Sequence, residues 1–417
     1  PSSSNSYKTF TIEPSDNLSY STTYKIRVTT GVKDTGGNNL GSQYETSNGF
    51  TTSSDNSNNS SGNSSSSSSS GSEVFLGVGR SGKIVRSTDN GSTFSAVTSV
   101  DSTQLNGVAF GNNTFVGVGA FGKIVRSTDN GLTFSAVTSV DSTPLDGVAF
   151  GNNTFVAVGS SGKIIRSTDN GSSWDNVTSV DSTLLKGVAF GNNTFVAVGS
   201  SGKIIRSTDN GSSWDNVTSV DSTPLNGVAF GNNTFVAVGG SGKIIRSTDN
   251  GLTFSAVTPV NSNINQYPYY QHYGVAFGNN IFVGVGASES GSDLTDPGSI
   301  VRSNDNGSTF SAVTPRPSKY VYGVAFGNNT FVGIGSYGKI VRSTDNGSSF
   351  TDVTSVNSYM YYGVAFGNNT FMGVGQSGKI VRSTDNGSSF TAVTPADTTT
   401  LSSVGFATPP VSHVSVP

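Results

Sequence analysis

Short apolar runs separated by turn sequences repeat along most of the chain. In the unit that is easiest to follow, these runs are Val108–Phe110, Thr114–Val118, Ile124–Ser127 and Phe134–Val140. Gly-Asn-Asn, a Gly-rich segment and Asp-Asn-Gly lie between them, and each is a typical turn sequence. Asn in the first of these turns tolerates positive φ, as a tight hairpin requires. The pattern therefore predicts four short β-strands per unit.

The phrase Gly-Val-Ala-Phe-Gly-Asn-Asn marks the period of the repeat. It begins at Gly107, Gly147, Gly187, Gly227, Gly274, Gly323 and Gly363. Successive starts are 40 residues apart, except for two longer gaps of 47 and 49 residues. Four strands in each unit of this length are typical of β-propeller blades. A superhelical solenoid is the alternative architecture.

The two ends of the repeat complement each other. The first unit starts at Glu73–Leu76, which matches a second strand, and the last segment carries Val404–Phe406, which matches a first strand. If the C-terminal strand completes the N-terminal blade, the ring closes and no inner strand is left unpaired. We therefore predict an all-β fold in which residues 73–417 form an eight-bladed propeller of four-stranded blades.

The turn before each fourth strand carries a family resemblance. Ser127-Thr128-Asp129-Asn130-Gly131-Leu132-Thr133-Phe134 resembles the Asp-box, or BNR, repeat of sialidases and related propellers, and the longer unit is similar to repeats of the photosystem II assembly-factor family. The resemblance implies the propeller fold but is weak for function. We expect each carboxylate to accept backbone N–H groups across its turn, which is a structural role. These aspartates are Asp89, Asp129, Asp169, Asp209, Asp249, Asp305, Asp345 and Asp385.

Residues 1–52 form a separate β module. Phe10–Pro14, Thr23–Val28 and Phe50–Thr52 are predicted strands, and the segment resembles the C-terminal half of bacterial Ig-like domains. Three or four strands are fewer than the about seven of a sandwich. We expect upstream residues or strands of another chain to complete the module; the alternative is a fragment boundary. Residues 53–72, nearly all Ser and Asn, predict a flexible linker.

Composition narrows the function classes. Only 12% of residues are charged and the net charge is −3, which excludes nucleic-acid binding through bulk charge. No apolar run approaches the ~20 residues that span a bilayer. Cysteine is absent, so neither disulfides nor a thiolate metal site can form. A surface rich in Ser, Thr and Asn favours an extracellular or cell-surface location.

Differences between units concentrate on one predicted face of the ring. Turns between second and third strands share a face with the connections between blades, and the aspartate turns lie on the opposite face. The second-to-third turn differs between units, and both insertions, 261–273 and 287–298, lie on that same face. One diversified face on a uniform ring predicts a binding surface.

That face is rich in tyrosine in three consecutive units. An exposed Tyr offers a flat apolar ring and a hydrogen-bonding tip, which suits sugar stacking or protein contact. The alternative is that these residues cap the core between blades, as Leu105 does in its unit. The candidate binding residues are Tyr267, Tyr269, Tyr270, His272, Tyr273, Tyr320, Tyr322, Tyr337, Tyr359, Tyr361 and Tyr362.

Catalytic and metal chemistry have little support. The repeated arginines, from Arg86 to Arg382, occupy one equivalent outer-strand position, so the three converging arginines of a sialidase are not expected. Paired-carboxylate hydrolysis would need Glu289 with Asp293 or Asp296, and the same three residues are a weak Ca²⁺ candidate. We expect no enzymatic activity and no cofactor. The third-strand lysines are expected to point to solvent.

These observations predict a non-enzymatic extracellular recognition or adhesion module. It would bind a glycan or a surface protein through the tyrosine-rich face. The alternative is a structural building block of a sheath or filament, assembled with other copies through the module at residues 1–52. A sialidase-like glycoside hydrolase is the least favoured function.

Overall fold

The computed structural model describes residues 73–257, 270–288, 298–314 and 317–407, together with short stretches of the first 52 residues. These stretches are 2–4, 9–11, 23–25, 27–28, 30, 38–39, 41–45 and 50–51. The chain divides into two compact units, Pro1–Ser68 and Ser69–Pro417. The predicted linker at residues 53–72 lies outside the described residues.

The described strands of the first unit form three antiparallel pairs. The pairs are Ser2–Ser4 with Thr9–Thr11, Thr23–Tyr24 with Phe50–Thr51, and Arg27–Val28 with Tyr44–Glu45. Arg27 Nε donates a hydrogen bond to Glu45 Oε2 at 2.8 Å across the third pair. The unit thus has six described strands, where the sequence pattern predicts three or four.

Eight four-stranded antiparallel sheets make up the described part of the second unit. We number them as blades 1 to 8, beginning with the sheet that contains Val74, and count strands outward from the axis. The first strands of blades 1 to 8 are Leu401–Ala407, Leu105–Gly111, Leu145–Gly151, Leu185–Gly191, Leu225–Gly231, Tyr270–Gly278, Val321–Gly327 and Tyr361–Gly367. The second strands are Val74–Gly79, Thr114–Gly119, Thr154–Gly159, Thr194–Gly199, Thr234–Gly239, Ile281–Ser288, Thr330–Gly335 and Thr370–Gly375.

The outer strands are shorter. The third strands are Ile84–Ser87, Ile124–Ser127, Ile164–Ser167, Ile204–Ser207, Ile244–Ser247, Gly298–Ser303, Ile340–Ser343 and Ile380–Ser383. The fourth strands are Ser95–Val97, Ser135–Val137, Asp175–Asn176, Asp215–Val217, Ser255–Ala256, Ser311–Ala312, Thr351–Val353 and Thr391–Val393. Single 3₁₀ turns join the second and third strands at Arg80–Gly82, Ala120–Gly122, Ser160–Gly162, Ser200–Gly202, Gly240–Gly242, Ser336–Gly338 and Gln376–Gly378.

Neighbouring blades cover both faces of each second strand. Phe115 packs against Leu76 of the preceding blade, while the adjacent Val116 packs against Phe155 of the following blade. All four side chains are fully buried. Burial of each such side chain contributes about 1.5–3 kcal/mol. Packing of sheet on sheet therefore supplies most of the stability of the ring.

Close approach between the first strands of neighbouring blades explains why all of these strands except Leu401–Ala407 end in glycine. A Cβ on Gly111 would lie 2.2 Å from the ring of Phe150 in the next blade. No side chain other than hydrogen fits there without displacing that aromatic ring. Phe150 in turn contacts Phe155 of its own blade in a tilted arrangement, with the ring centroids 4.6 Å apart.

The aspartate turns hold the outer edge of each blade. Asp129 Oδ1 accepts hydrogen bonds from Ser127 Oγ at 2.7 Å and from the Thr133 N–H at 3.0 Å. Burial raises the pKa of Asp129, but hydrogen bonds from Thr133 and Ser127 outweigh it, so the pKa is lowered overall. Gly131 adopts φ +79°, a conformation that favours glycine. The other seven aspartates accept the same pair of hydrogen bonds.

Third-strand arginines link each blade to the next. Arg126 Nε donates to the carbonyl of Asn170, in the aspartate turn of the following blade, at 2.6 Å. The same bond recurs in all eight blades, and the bond from Arg382 to the Asn90 carbonyl connects blade 8 to blade 1. These arginines therefore have a structural role at the periphery, where their hydrogen bonds connect neighbouring blades.

The ring is closed by the C-terminal strand. Leu401–Ala407 pairs antiparallel with Val74–Gly79, and Phe406 lies opposite Phe75 with the ring centroids 4.8 Å apart. Each first strand contacts the first strands of both neighbouring blades around the whole circle. These pairings confirm the predicted all-β, eight-bladed propeller and exclude the solenoid.

We predict that a chain ending at Thr400 loses at least ~3 kcal/mol of unfolding free energy, because Leu401 is buried and the Val74–Gly79 edge becomes unpaired. Chemical denaturation measures the loss, and a peptide with the sequence of residues 401–407 should restore part of it. A chain ending at Ala407 is the matched control. Equal stability of the two shortened chains would contradict the closure.

Candidate functional site

A bulge at the start of each first strand places one side chain at the mouth of the central axis. The register skips from Leu105 to Gly107, so Asn106 is left out of the ladder. Such a bulge re-aims the extra side chain. The same register shift recurs in every blade. We call these eight residues the bulge ring: Asn106, Asp146, Lys186, Asn226, Tyr273, Tyr322, Tyr362 and Ser402.

One half of the bulge ring is polar, and its members reach from blade to blade. Asn106 Nδ2 donates to the Leu145 carbonyl at 2.9 Å, and Lys186 Nζ donates to Asn226 Oδ1 at 2.8 Å. Burial raises the pKa of Asp146, and the nearby Lys186 ammonium opposes that rise. This half presents a carboxylate, an ammonium group and amides side by side.

Three tyrosines occupy consecutive positions in the other half. The ring centroids of Tyr273 and Tyr322 are 5.4 Å apart, and those of Tyr322 and Tyr362 are 6.1 Å apart. All three are at least partly exposed, and Tyr362 keeps 37% of its surface accessible. Burial raises the pKa of Tyr322, with smaller contributions from neighbouring tyrosines, so its hydroxyl stays protonated at neutral pH. We call Tyr273, Tyr322 and Tyr362 the tyrosine arc.

Two further aromatic side chains project from the 3₁₀ turns of the same face. Phe121 is 73% exposed and Tyr337 is 42% exposed. Both have φ near +50°, a left-handed conformation that is uncommon for bulky residues and costs free energy. Lys319 Nζ lies 4.9 Å from the centre of the Tyr337 ring. The face thus exposes aromatic groups beyond the tyrosine arc.

Three of the predicted binding residues are buried, so the expectation that they belong to an exposed surface is wrong. Tyr361 and His272 are 0% exposed and Tyr320 is 6% exposed. Tyr361 and His272 occupy the position of Leu105, which faces the core between blades. Asn357 Nδ2 donates to the Tyr361 hydroxyl at 2.8 Å, and His272 Nε2 lies 3.3 Å from Ser299 Oγ.

The expectation that the third-strand lysines point to solvent is also wrong. Lys123 Nζ lies 2.5 Å from Asp101 Oδ2, in the loop that enters the same blade, and its side chain is 12% exposed. The hydrogen bond from Lys123 is the main cause that lowers the pKa of Asp101 to about 2. The loop carboxylate therefore forms an ion pair with a largely buried lysine side chain.

Six more of the residues predicted to form a binding or metal site lie at or beyond the limits of the described residues. Tyr267, Tyr269, Glu289, Asp293 and Asp296 lie outside the described residues, and Tyr270 opens the first strand of blade 6. Among the residues that the structure does describe, no three His, Cys, Asp or Glu side chains group as metal ligands. Within that same part of the chain, no helix combines the length and apolarity needed to cross a bilayer.

The polar half of the bulge ring and the exposed Phe121 are not among the binding residues predicted from the sequence. The signal was present, since the residue immediately before the Gly-Val-Ala-Phe phrase varies among units while the phrase itself does not. A variable position inside a constant strand indicates a side chain that leaves the core. Only the bulge shows that these positions meet at the axis.

Comparison with known proteins agrees with both units. A bacterial Ig-like domain family matches residues 1–52. No curated protein matches the chain. Among solved structures, apo AztD from Citrobacter koseri is similar with a TM-score of 0.56 and 9% identity, over 81% of this chain and 98% of that protein.

Two other solved structures share the fold. The computationally designed Ika8 protein has a TM-score of 0.52 and 13% identity, over 79% of this chain and 96% of that protein. YCF48 bound to a D1 peptide has a TM-score of 0.50 and 18% identity, over 67% of this chain and 91% of that protein. At these identities the similarity shows the propeller fold alone.

We predict that His272 makes stability fall between pH 6.5 and pH 4. Burial lowers its pKa from 6.5 to about 4, so below pH 6.5 the unfolded chain binds a proton that the folded chain does not. The loss is roughly 3 kcal/mol near pH 4. Denaturant titrations of the wild type and of His272→Leu, which installs the residue of other blades, measure it. Identical pH dependence in both proteins would contradict this assignment.

Proposed function

We propose that this propeller is a non-enzymatic recognition module that binds its ligand on the face carrying the bulge ring. The observation that carries the proposal is the tyrosine arc. Three adjacent, partly exposed aromatic rings lie at one end of the axis, in a ring where other blades place polar residues. Exposed tyrosines of this kind are enriched where proteins bind other molecules.

The ligand class is a glycan or a protein segment. Tyr rings stack on the apolar face of a sugar or pack against a peptide, and their hydroxyls supply hydrogen bonds. In the polar half of the bulge ring, Asp146, Lys186 and Asn226 add charged and amide groups for the polar edge of the same ligand. A propeller of similar fold, YCF48, has been solved with a bound D1 peptide, which supports a protein partner in general terms.

Two features support the absence of catalysis. The eight repeated arginines donate to turn carbonyls at the periphery, so they are engaged away from the axis. The carboxylates of the aspartate turns accept hydrogen bonds within their own turns. Because all eight aspartate turns share this hydrogen-bond geometry, it also supports the assignment of the propeller to the Asp-box class. The Ig-like match at residues 1–52 and the Ser- and Asn-rich composition support an extracellular or cell-surface adhesion role.

We predict that replacing Tyr273, Tyr322 and Tyr362 by Ala together weakens ligand binding at least about tenfold, because each of the three aromatic contacts contributes about 0.5–1.5 kcal/mol. Screening the wild-type chain on glycan and peptide arrays identifies the ligand, and calorimetry then compares the variants. The matched control is Tyr361→Leu, which changes a buried tyrosine and should bind normally.

The screen also separates the alternatives. Unchanged binding by the triple variant, or no ligand on either array, would count against the recognition role. Filaments formed by the wild-type chain without any ligand would favour the structural building block instead.

A further inference from the structure

The lysine immediately before the third strand forms an ion pair with an aspartate in six of the eight described blades. In five blades the partner is the aspartate four residues before the first-strand leucine. The pairs are Lys83–Asp397, Lys123–Asp101, Lys163–Asp141, Lys203–Asp181 and Lys243–Asp221. The lysine side chains in these pairs are only 8–19% exposed. The carboxylate thus lies at a fixed place beside a largely buried ammonium group.

Blades 6 and 7 lack the loop aspartate, and in each a second difference removes the need for it. In blade 6 the lysine itself is replaced by Ser299. In blade 7 the loop position is Pro317, and Lys339 pairs instead with Asp352 of its own fourth strand at 2.6 Å. Lys339 also donates to Ser318 Oγ at 3.0 Å. Blade 6 therefore has no ammonium group at this position, and the ammonium group of blade 7 has a carboxylate partner.

Blade 8 lacks this compensation. The loop position is Asn357, whose amide donates to the Tyr361 hydroxyl, and the fourth-strand residue equivalent to Asp352 is Ala392. No carboxylate in the described part of the chain lies within ion-pair distance of Lys379. Its ammonium group lies instead 4.9 Å from the centre of the Tyr359 ring.

An open crevice adjoins the ammonium group of Lys379. Lys379 lies in a cleft of about 320 Å³ whose other walls include Val356, Asn357, Tyr359, Ala392 and Pro395. Tyr359 is 38% exposed, so a ligand can reach this cleft from solvent. The apolar walls weaken the competition of water for the ammonium group and so strengthen its attraction for an anion.

We propose that the blade 8 crevice binds a carboxylate-bearing ligand, whose carboxylate takes the place that Asp101 and its equivalents occupy in other blades. A carboxylate is favoured over a larger anion because the remaining blades show that this group fits beside the lysine. Lys379 supplies the charge, and the Tyr359 ring and Ala392 supply apolar contact. The site does not depend on the tyrosine arc.

Binding of two small carboxylates to the full chain tests the proposal. The probes are D-glucuronate and N-acetyl-L-glutamate, with D-glucose and N-acetyl-L-glutaminamide as uncharged controls, all at constant ionic strength. Saturation-transfer difference NMR yields the dissociation constants. We expect both carboxylates to bind and the uncharged controls not to bind. The tighter of the two probes identifies an acidic sugar or an acidic peptide as the source of the carboxylate.

Two variants remove the site in opposite ways. Lys379→Gln removes the charge, and Asn357→Asp restores the internal carboxylate of other blades, so each should weaken binding at least tenfold. Asn357→Asp should also raise the melting temperature, which shows that the variant is folded. Lys319→Gln removes another lysine on the same face and should leave binding unchanged.

The outcomes are distinct from those for the tyrosine arc. The Tyr273, Tyr322 and Tyr362 triple variant should still bind the carboxylates, whether or not the arc binds a ligand. The proposal is overturned if neither carboxylate binds, if Asn357→Asp binds as well as the wild type, or if Lys319→Gln weakens binding as much as Lys379→Gln.

Discussion

Face-to-face packing of the blades is the interaction on which the rest of the structure depends. A four-stranded sheet of this composition buries its Phe, Val and Ile side chains on both faces, so it needs a neighbour on each side. Only a closed ring gives every sheet two neighbours. Pairing of Leu401–Ala407 with Val74–Gly79 meets that requirement and joins residues more than 300 positions apart.

Closure also explains why differences between units concentrate on one face. The aspartate turns and the arginine bonds from blade to blade tie the opposite face together and repeat in all eight blades. A change there would disturb two blades at once. The bulge residues make bonds between blades that differ from blade to blade, such as the one from Asn106 to the Leu145 carbonyl and the one from Lys186 to Asn226, so these residues vary between units without opening the ring. The proposed recognition surface lies among these variable positions.

The lysine and aspartate pairs show how a repeat can acquire a site by losing a contact. Lys123 and Asp101 form an ion pair, so the lysine has no free charge to attract a ligand there. In blade 8 the same lysine position remains while its carboxylate partner is absent. The tyrosines belong to blades 6, 7 and 8, where the regular pairing also changes. Divergence from the repeat and candidate chemistry therefore coincide in one sector of the ring.

The amino-acid sequence by itself determined the blade pattern, the number of blades and the turn conformations, because these depend on local alternation and on residues such as Asn112 and Gly131 that accept positive φ. Side-chain exposure on the variable face was decided only by the tertiary structure. Tyr361 and Tyr362 are neighbours in sequence, yet one is buried and the other is open. The bulge between Tyr361 and Gly363 sets that difference, and it arises from pairing across strands and blades, which no local pattern encodes.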